Sequence, residues 1–90
     1  MIFEGSAEVT LFTGDGEITQ HREVMIDAPD APGDIAPGGQ YGTRVTVVGP
    51  PMKGVDSVSA IRVVANGNRY EFELRQPPSI GLQQTVFSAP

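Results

Sequence analysis

The stretch VSAIRVVANGNRYEFELR, residues 58–75, decides the fold. Two runs rich in β-branched and aromatic residues flank Asn66-Gly67, the strongest short-range signal for a two-residue hairpin turn. A type I′ turn needs positive φ at both central positions, which Asn tolerates and Gly adopts without steric penalty. Closure there sets Val63 opposite Tyr70, Ile61 opposite Phe72 and Arg62 opposite Glu71. The apolar pairs share one face and the charged pair lies on the other, so Tyr70 and Phe72 are expected in the core. Closure on Gly67-Asn68 instead shifts the pairing by two residues and leaves the faces unchanged.

Outward from this hairpin the chain keeps a period of two. Residues 6–13, SAEVTLFT, alternate Ala7, Val9 and Leu11 against Glu8 and Thr10, as a half-buried strand does. Gly14-Asp15-Gly16 reads as a turn, and residues 17–26, EITQHREVMI, as the returning strand. The early part of that strand is polar on both faces, so it is expected to be an edge or a protruding ribbon, with Val24, Met25 and Ile26 buried. Residues 41–49, YGTRVTVVG, form another strand, ended by Pro50-Pro51, which cannot donate to a ladder. After Gln76-Pro77-Pro78-Ser79, residues 82–88, LQQTVFS, suit a last strand. The expected fold is all-β: a small antiparallel barrel or sandwich of about six strands in a single domain, residues 1–90, with no helix and one long Pro/Gly/Asp-rich loop.

That loop, residues 27–40, DAPDAPGDIAPGGQ, holds three Pro, three Gly and three Asp around one sizeable apolar side chain, Ile35. A segment of this length without internal structure is uncommon in a compact domain unless it is functional or disordered. It is expected to touch a neighbouring subunit through Asp27, Asp30, Asp34 and Ile35, with Ile35 as the anchor.

Composition narrows the function. The chain has no cysteine among its 90 residues, so neither disulfides nor a cysteine zinc site supplies the staples of small domains. Its net charge of −5 argues against gripping nucleic acid by phosphates. Residues 1–40 carry eight acids and one base, residues 41–90 three acids and five bases. An acidic half and a mildly basic half favour head-to-tail contact between copies or between different proteins, beside the simpler reading of chance clustering on a solvated surface. No apolar run is long enough to span a membrane, and the start lacks the features of a signal peptide, so synthesis in the cytosol is expected.

Candidate chemistry is sparse. His21, the single histidine, lies between Gln20 and Arg22 in a polar strand, where a solvated surface role is the simpler reading than general acid–base work. Asp27, Asp30 and Asp34 depart from calcium-loop spacing and lack its bidentate glutamate, so they read as solvated loop acids. Gly14-Asp15-Gly16 opens no helix and precedes no lysine, unlike a phosphate cradle. Glu71 and Glu73 beside Arg69 and Arg75 read as a salt-bridged exterior. A stacking platform of Tyr41, Tyr70, Phe72 and Phe87 competes with core roles for Tyr70 and Phe72. No catalytic, metal or cofactor site is expected, and no enzyme; Asn66 and Gly67 are structural turn residues.

The segment 43–77 resembles tailed-phage head-closure proteins, or head-to-tail stoppers, through TRVTVVGPP (43–51), SAIRVVANGNRYEFELR (59–75) and Pro77. The shared order is strand, proline-containing loop, strand, turn, Tyr-Glu-hydrophobic, then proline. The resemblance implies a virion protein that forms a homo-oligomeric ring beneath the portal and links capsid to tail, with the acidic half beside the DNA channel and the 27–40 loop as plug or partner contact. It implies no sequence-specific nucleic-acid binding, membrane or small-molecule substrate. Two alternatives stand beside it: a capsid decoration protein that cements the phage shell, and a small monomeric ligand-binding β-barrel.

Overall fold

The computed structural model of the protein describes residues 2–27 and 42–89. Their strands are β1 (Phe3–Thr13), β2 (Gly16–Asp27), β3 (Arg44–Val48), β4 (Val58–Ala65), β5 (Asn68–Glu73), β6 (Ser79–Ile80) and β7 (Gln84–Ser88). All pair antiparallel in one sheet, in the order β5-β4-β1-β2-β3-β7-β6. The fold is therefore all-β, with seven strands rather than six. The extra strand is the two-residue β6, too short to leave a periodic signature.

The first hairpin is the frame. Thr13 stands opposite Gly16 across Gly14-Asp15. The Thr13 hydroxyl donates to the Gly16 carbonyl at 2.9 Å and accepts from the Asp15 amide at 3.2 Å. Pairing then continues without a break to Phe3 opposite Ile26. No other pair runs so far. The β4 strand joins β1 only from Glu8 to Thr13, and β3 joins β2 only from Val24 to Asp27. The long hairpin thus belongs to two lobes. One contains the turn end of the hairpin with β4 and β5; the other contains its open end with β3, β7 and β6.

The inner faces of both lobes meet in one core. Val9, Leu11, Ile61 and Val63 come from the first lobe, and Val24, Ile26, Val45, Val47 and Phe87 from the second. Each of these is under 2% exposed. A sheet can bury one face so fully with no helical layer only by wrapping on itself, with strands passing from one lobe to the other at the corners. Each such side chain contributes about 1.5–3 kcal/mol by leaving water. Between β3 and β4, Met52 and Val55 add buried side chains, the latter at the start of a 3-10 turn, Val55–Ser57. Beyond β5, the Arg75 amide donates to the Ser88 carbonyl at 3.0 Å and ties the first lobe to the second.

The 58–75 hairpin pairs as its sequence dictates. Ile61 faces Phe72, Arg62 faces Glu71 and Val63 faces Tyr70. Asn66 has φ 52° and Gly67 φ 79°, the two positive values that the turn requires. Where β4 meets β1, the register shifts between Phe12 and Thr13 and leaves Ser59 as the extra residue. Its hydroxyl donates to the Phe12 carbonyl at 3.3 Å. Such a bulge increases local twist and helps turn the sheet.

Four expectations are corrected. Tyr70 and Phe72 are only half-buried against the core, because β5 is an edge strand with no outer neighbour among the described residues. Met25 is likewise only partly buried, since it points to the outer side between the buried Val24 and Ile26. The strand expected over 41–49 is the shorter Arg44–Val48, with Tyr41 outside the described residues. The last strand begins at Gln84, and Leu82 is 88% exposed in the tight turn closed by the Gly81 amide on the Gln84 carbonyl.

Candidate functional site

The residues singled out in the sequence fall in different places. Asp27 ends β2, opposite Arg44. Asp30, Asp34 and Ile35, with the rest of the 27–40 loop after Asp27, lie outside the described residues. Asn66 and Gly67 form the hairpin turn as expected.

His21 stands on the outer face opposite Glu8, its Nε2 3.9 Å from a Glu8 carboxylate oxygen. Its side chain is 82% exposed and largely in water. The serine on the same face, Ser6, donates instead to Glu23 at 2.7 Å. The geometry there is a hydrated cross-strand pair rather than a nucleophile held by a base. Among the described residues no three His, Asp or Glu side chains gather to hold a metal ion.

The residue that sequence reading missed is Arg22. It sits beside the point where β3 leaves β2, and its guanidinium replaces the ladder there. Nε and Nη2 donate to the Val48 carbonyl at 3.1 and 3.0 Å, Nη2 also donates to the Pro50 carbonyl, and Nη1 donates to Gln20 Oε1 at 2.9 Å. The planar fork satisfies carbonyls that a chain turning into Pro50-Pro51 leaves without backbone donors. Gly49 makes room for it: a Cβ at this residue, whose φ is 108°, would lie 2.6 Å from Nη2. The available signal was charge, since Arg22 is the one base in the first forty residues.

A second outer-face cluster redirects the expected charge pair. Arg62 lies opposite Glu71 in register, yet its guanidinium reaches the other way, over the Phe12 ring at 5.2 Å and to Glu17 at 3.7 Å. Glu71 pairs instead with Arg69 at 3.4 Å. The cation–π contact and a shared cross-strand position favour this choice. Beside Arg62, Thr10 is 1% exposed and its hydroxyl shares a 2.8 Å hydrogen bond with Thr19. No buried side-chain polar atom among the described residues lacks a partner.

The remaining surface feature is apolar. Large exposed hydrophobic side chains among the described residues are Ile2, Val48, Ile80 and Leu82. Three of them lie where β7 begins, but not on one face: Val48 stands opposite the exposed Gln84 on the outer side, Ile80 opposite the buried Thr85 on the inner side, and Leu82 lies in the turn between β6 and β7. The Gly49 amide donates to the Gln83 carbonyl at 2.6 Å and holds the end of β3 against this turn. Pro50-Pro51 and Pro77-Pro78 stiffen the chain on either side.

Compared with models of known protein families, with curated proteins and with solved structures, the chain matches none of them.

Proposed function

We propose that this protein is a virion structural component that works by assembly rather than catalysis: a head-to-tail stopper or connector, present as a ring beneath the portal and joining capsid to tail. The observation that carries the reading is Leu82, a large apolar side chain left 88% exposed in the turn between β6 and β7. A solitary domain gains nothing from exposing Leu82 so fully, whereas an assembled subunit can bury it against a neighbour. The 43–77 resemblance supplies the particular assembly. In this reading the 27–40 loop, with Ile35 as its anchor, provides a further contact with a neighbouring virion protein. The protein is made in the host cytoplasm and resides in the virion.

Copy number in the native particle tests the proposal. A few copies retained with the portal after disassembly support the connector. Stoichiometric coverage of the shell would replace it with the decoration role. A chain absent from particles, and monomeric at high concentration, would overturn both and favour a ligand-binding barrel.

A further inference from the structure

We infer that Asn66-Gly67, the tip of the β4–β5 hairpin, is a site of spontaneous modification, at which Asn66 loses its amide nitrogen through a succinimide and becomes aspartate or isoaspartate. The inference is independent of the virion reading, because it rests on the chemistry of this turn alone.

Ring closure needs an unhindered nucleophile, free reacting groups and water, and the tip supplies all of them. The nucleophile is the backbone nitrogen that follows the asparagine. Glycine leaves it least hindered, and even a Cβ at Gly67 would meet nothing within 4 Å. Among the described residues, neither the Asn66 side chain nor the Gly67 amide has a hydrogen-bond partner. Asn66, Gly67 and Asn68 are all exposed. The turn holds Asn66 at φ 52°, so the Asn66–Gly67 peptide must rotate out of the type I′ conformation before the ring can close. Ala65 opposite Asn68 is the last pair before the tip, and such ends open locally without unfolding the domain.

The other sites of similar chemistry are worse placed. Asp15-Gly16 offers a carboxylate, a poorer electrophile than an amide. The Asp15 amide is held by the Thr13 hydroxyl at 3.2 Å, and Gly16 is already paired with Thr13. Asn68, the chain's other asparagine, is followed by Arg69 inside β5.

The step balances without any redox partner. The Gly67 nitrogen, having lost its proton, bonds to Asn66 Cγ; the Cγ–Nδ2 bond breaks and Nδ2 takes up a proton and leaves as ammonia. Water then opens the ring. Addition at Cγ breaks its bond to the Gly67 nitrogen and gives aspartate. Addition at the main-chain carbonyl carbon breaks that bond instead and gives isoaspartate.

The two products differ in consequence. Aspartate tolerates positive φ as asparagine does, so the turn survives with an added negative charge. Isoaspartate routes the main chain through Cγ and inserts a methylene into a two-residue turn. Ala65 and Asn68 then lose their opposition, and pairing loosens from the tip. Among the described residues β5 pairs only with β4, so it is the strand that frays.

Mass spectrometry of the folded natural chain, aged in mildly alkaline buffer, tests the assignment. The intact mass should rise by the difference between a hydroxyl and an amino group. Peptide mapping should place the gain at Asn66, with aspartyl and isoaspartyl peptides resolved by chromatography. The rate should rise in proportion to hydroxide, because the attacking amide must first lose its proton. Asn66→Gly keeps positive φ accessible at both turn positions and should abolish the gain at this site. Amide exchange at Asn68 should quicken in the isoaspartyl form and stay as in the natural chain in Asn66→Asp. A gain that maps to Asn68 or to a glutamine would overturn the assignment. So would a folded chain that keeps its mass while the denatured chain converts, since the turn would then shield the amide it exposes. Unchanged exchange at Asn68 in the isoaspartyl form would overturn the loosening of β5.

Discussion

Adjacent residues Arg22 and His21 illustrate how little the type of a side chain says without its register. Arg22 points to the inner side at a lobe boundary and holds two carbonyls of the departing chain. Arg22→Ala should cost about 1.5–3 kcal/mol in chemical denaturation, as charge-assisted hydrogen bonds do. Arg22→Lys should recover only part of this, because an ammonium cannot reproduce the fork. His21→Ala should stay within about 0.5 kcal/mol of the natural protein, as a substitution at an exposed outer-face position does. Equal losses from Arg22→Ala and His21→Ala would refute the clamp. Nothing local in the sequence announces Arg22, since its carbonyl partners lie 26 and 28 residues away. An isolated base in an acidic half was the sole trace. Arg62 teaches the same lesson: its strand partner was legible, but its choice of Glu17 over Glu71 depended on Phe12, which only the third strand supplies.

Elements with short connections were readable; those defined by distant neighbours were not. The pairing of β4 with β5 follows from a two-residue turn and a period of two, both contained in eighteen residues of sequence. Gly67→Val tests the turn cleanly. A Cβ at Gly67 meets nothing within 4 Å, so the whole effect comes from forcing a β-branched residue to φ 79°. The expected loss is about 1–3 kcal/mol by thermal or denaturant unfolding. The depth at which Tyr70 and Phe72 are buried was not contained in the hairpin, because it depends on β5 standing at an edge. Leu82 misled for a related reason. It continues the alternation of residues 82–88, but the Gly81–Gln84 hydrogen bond turns the backbone there before pairing begins. Of the residues singled out in the sequence, the turn residues Asn66 and Gly67 were legible because their role is local. The exposure of Leu82 was not, since it depends on the turn between β6 and β7.

At the scale of the molecule, one core serves both lobes, and Phe87 is its largest fully buried side chain. Phe87→Ala should cost about 3–5 kcal/mol. For a domain of this size that lowers the melting temperature by about 12 °C or more. It is also a large share of the roughly 5–15 kcal/mol that holds any domain folded. Because β1 and β2 run through both lobes, amide exchange at Val63 in β4 and Val45 in β3 should report a single opening free energy. Clearly different values would show that the lobes unfold apart.

The uninterrupted pairing of Phe3 to Thr13 with Gly16 to Ile26 also has a mechanical consequence. Because Gly14-Asp15 joins the two strands at one end, a pull on Phe3 against Ile26 works on their eleven opposed positions from the open end. Bonds opened in sequence give way singly, whereas bonds strained side by side must fail together. A molecule gripped at Phe3 and Ile26 would therefore yield progressively toward the turn, at lower force than the length of the ribbon suggests.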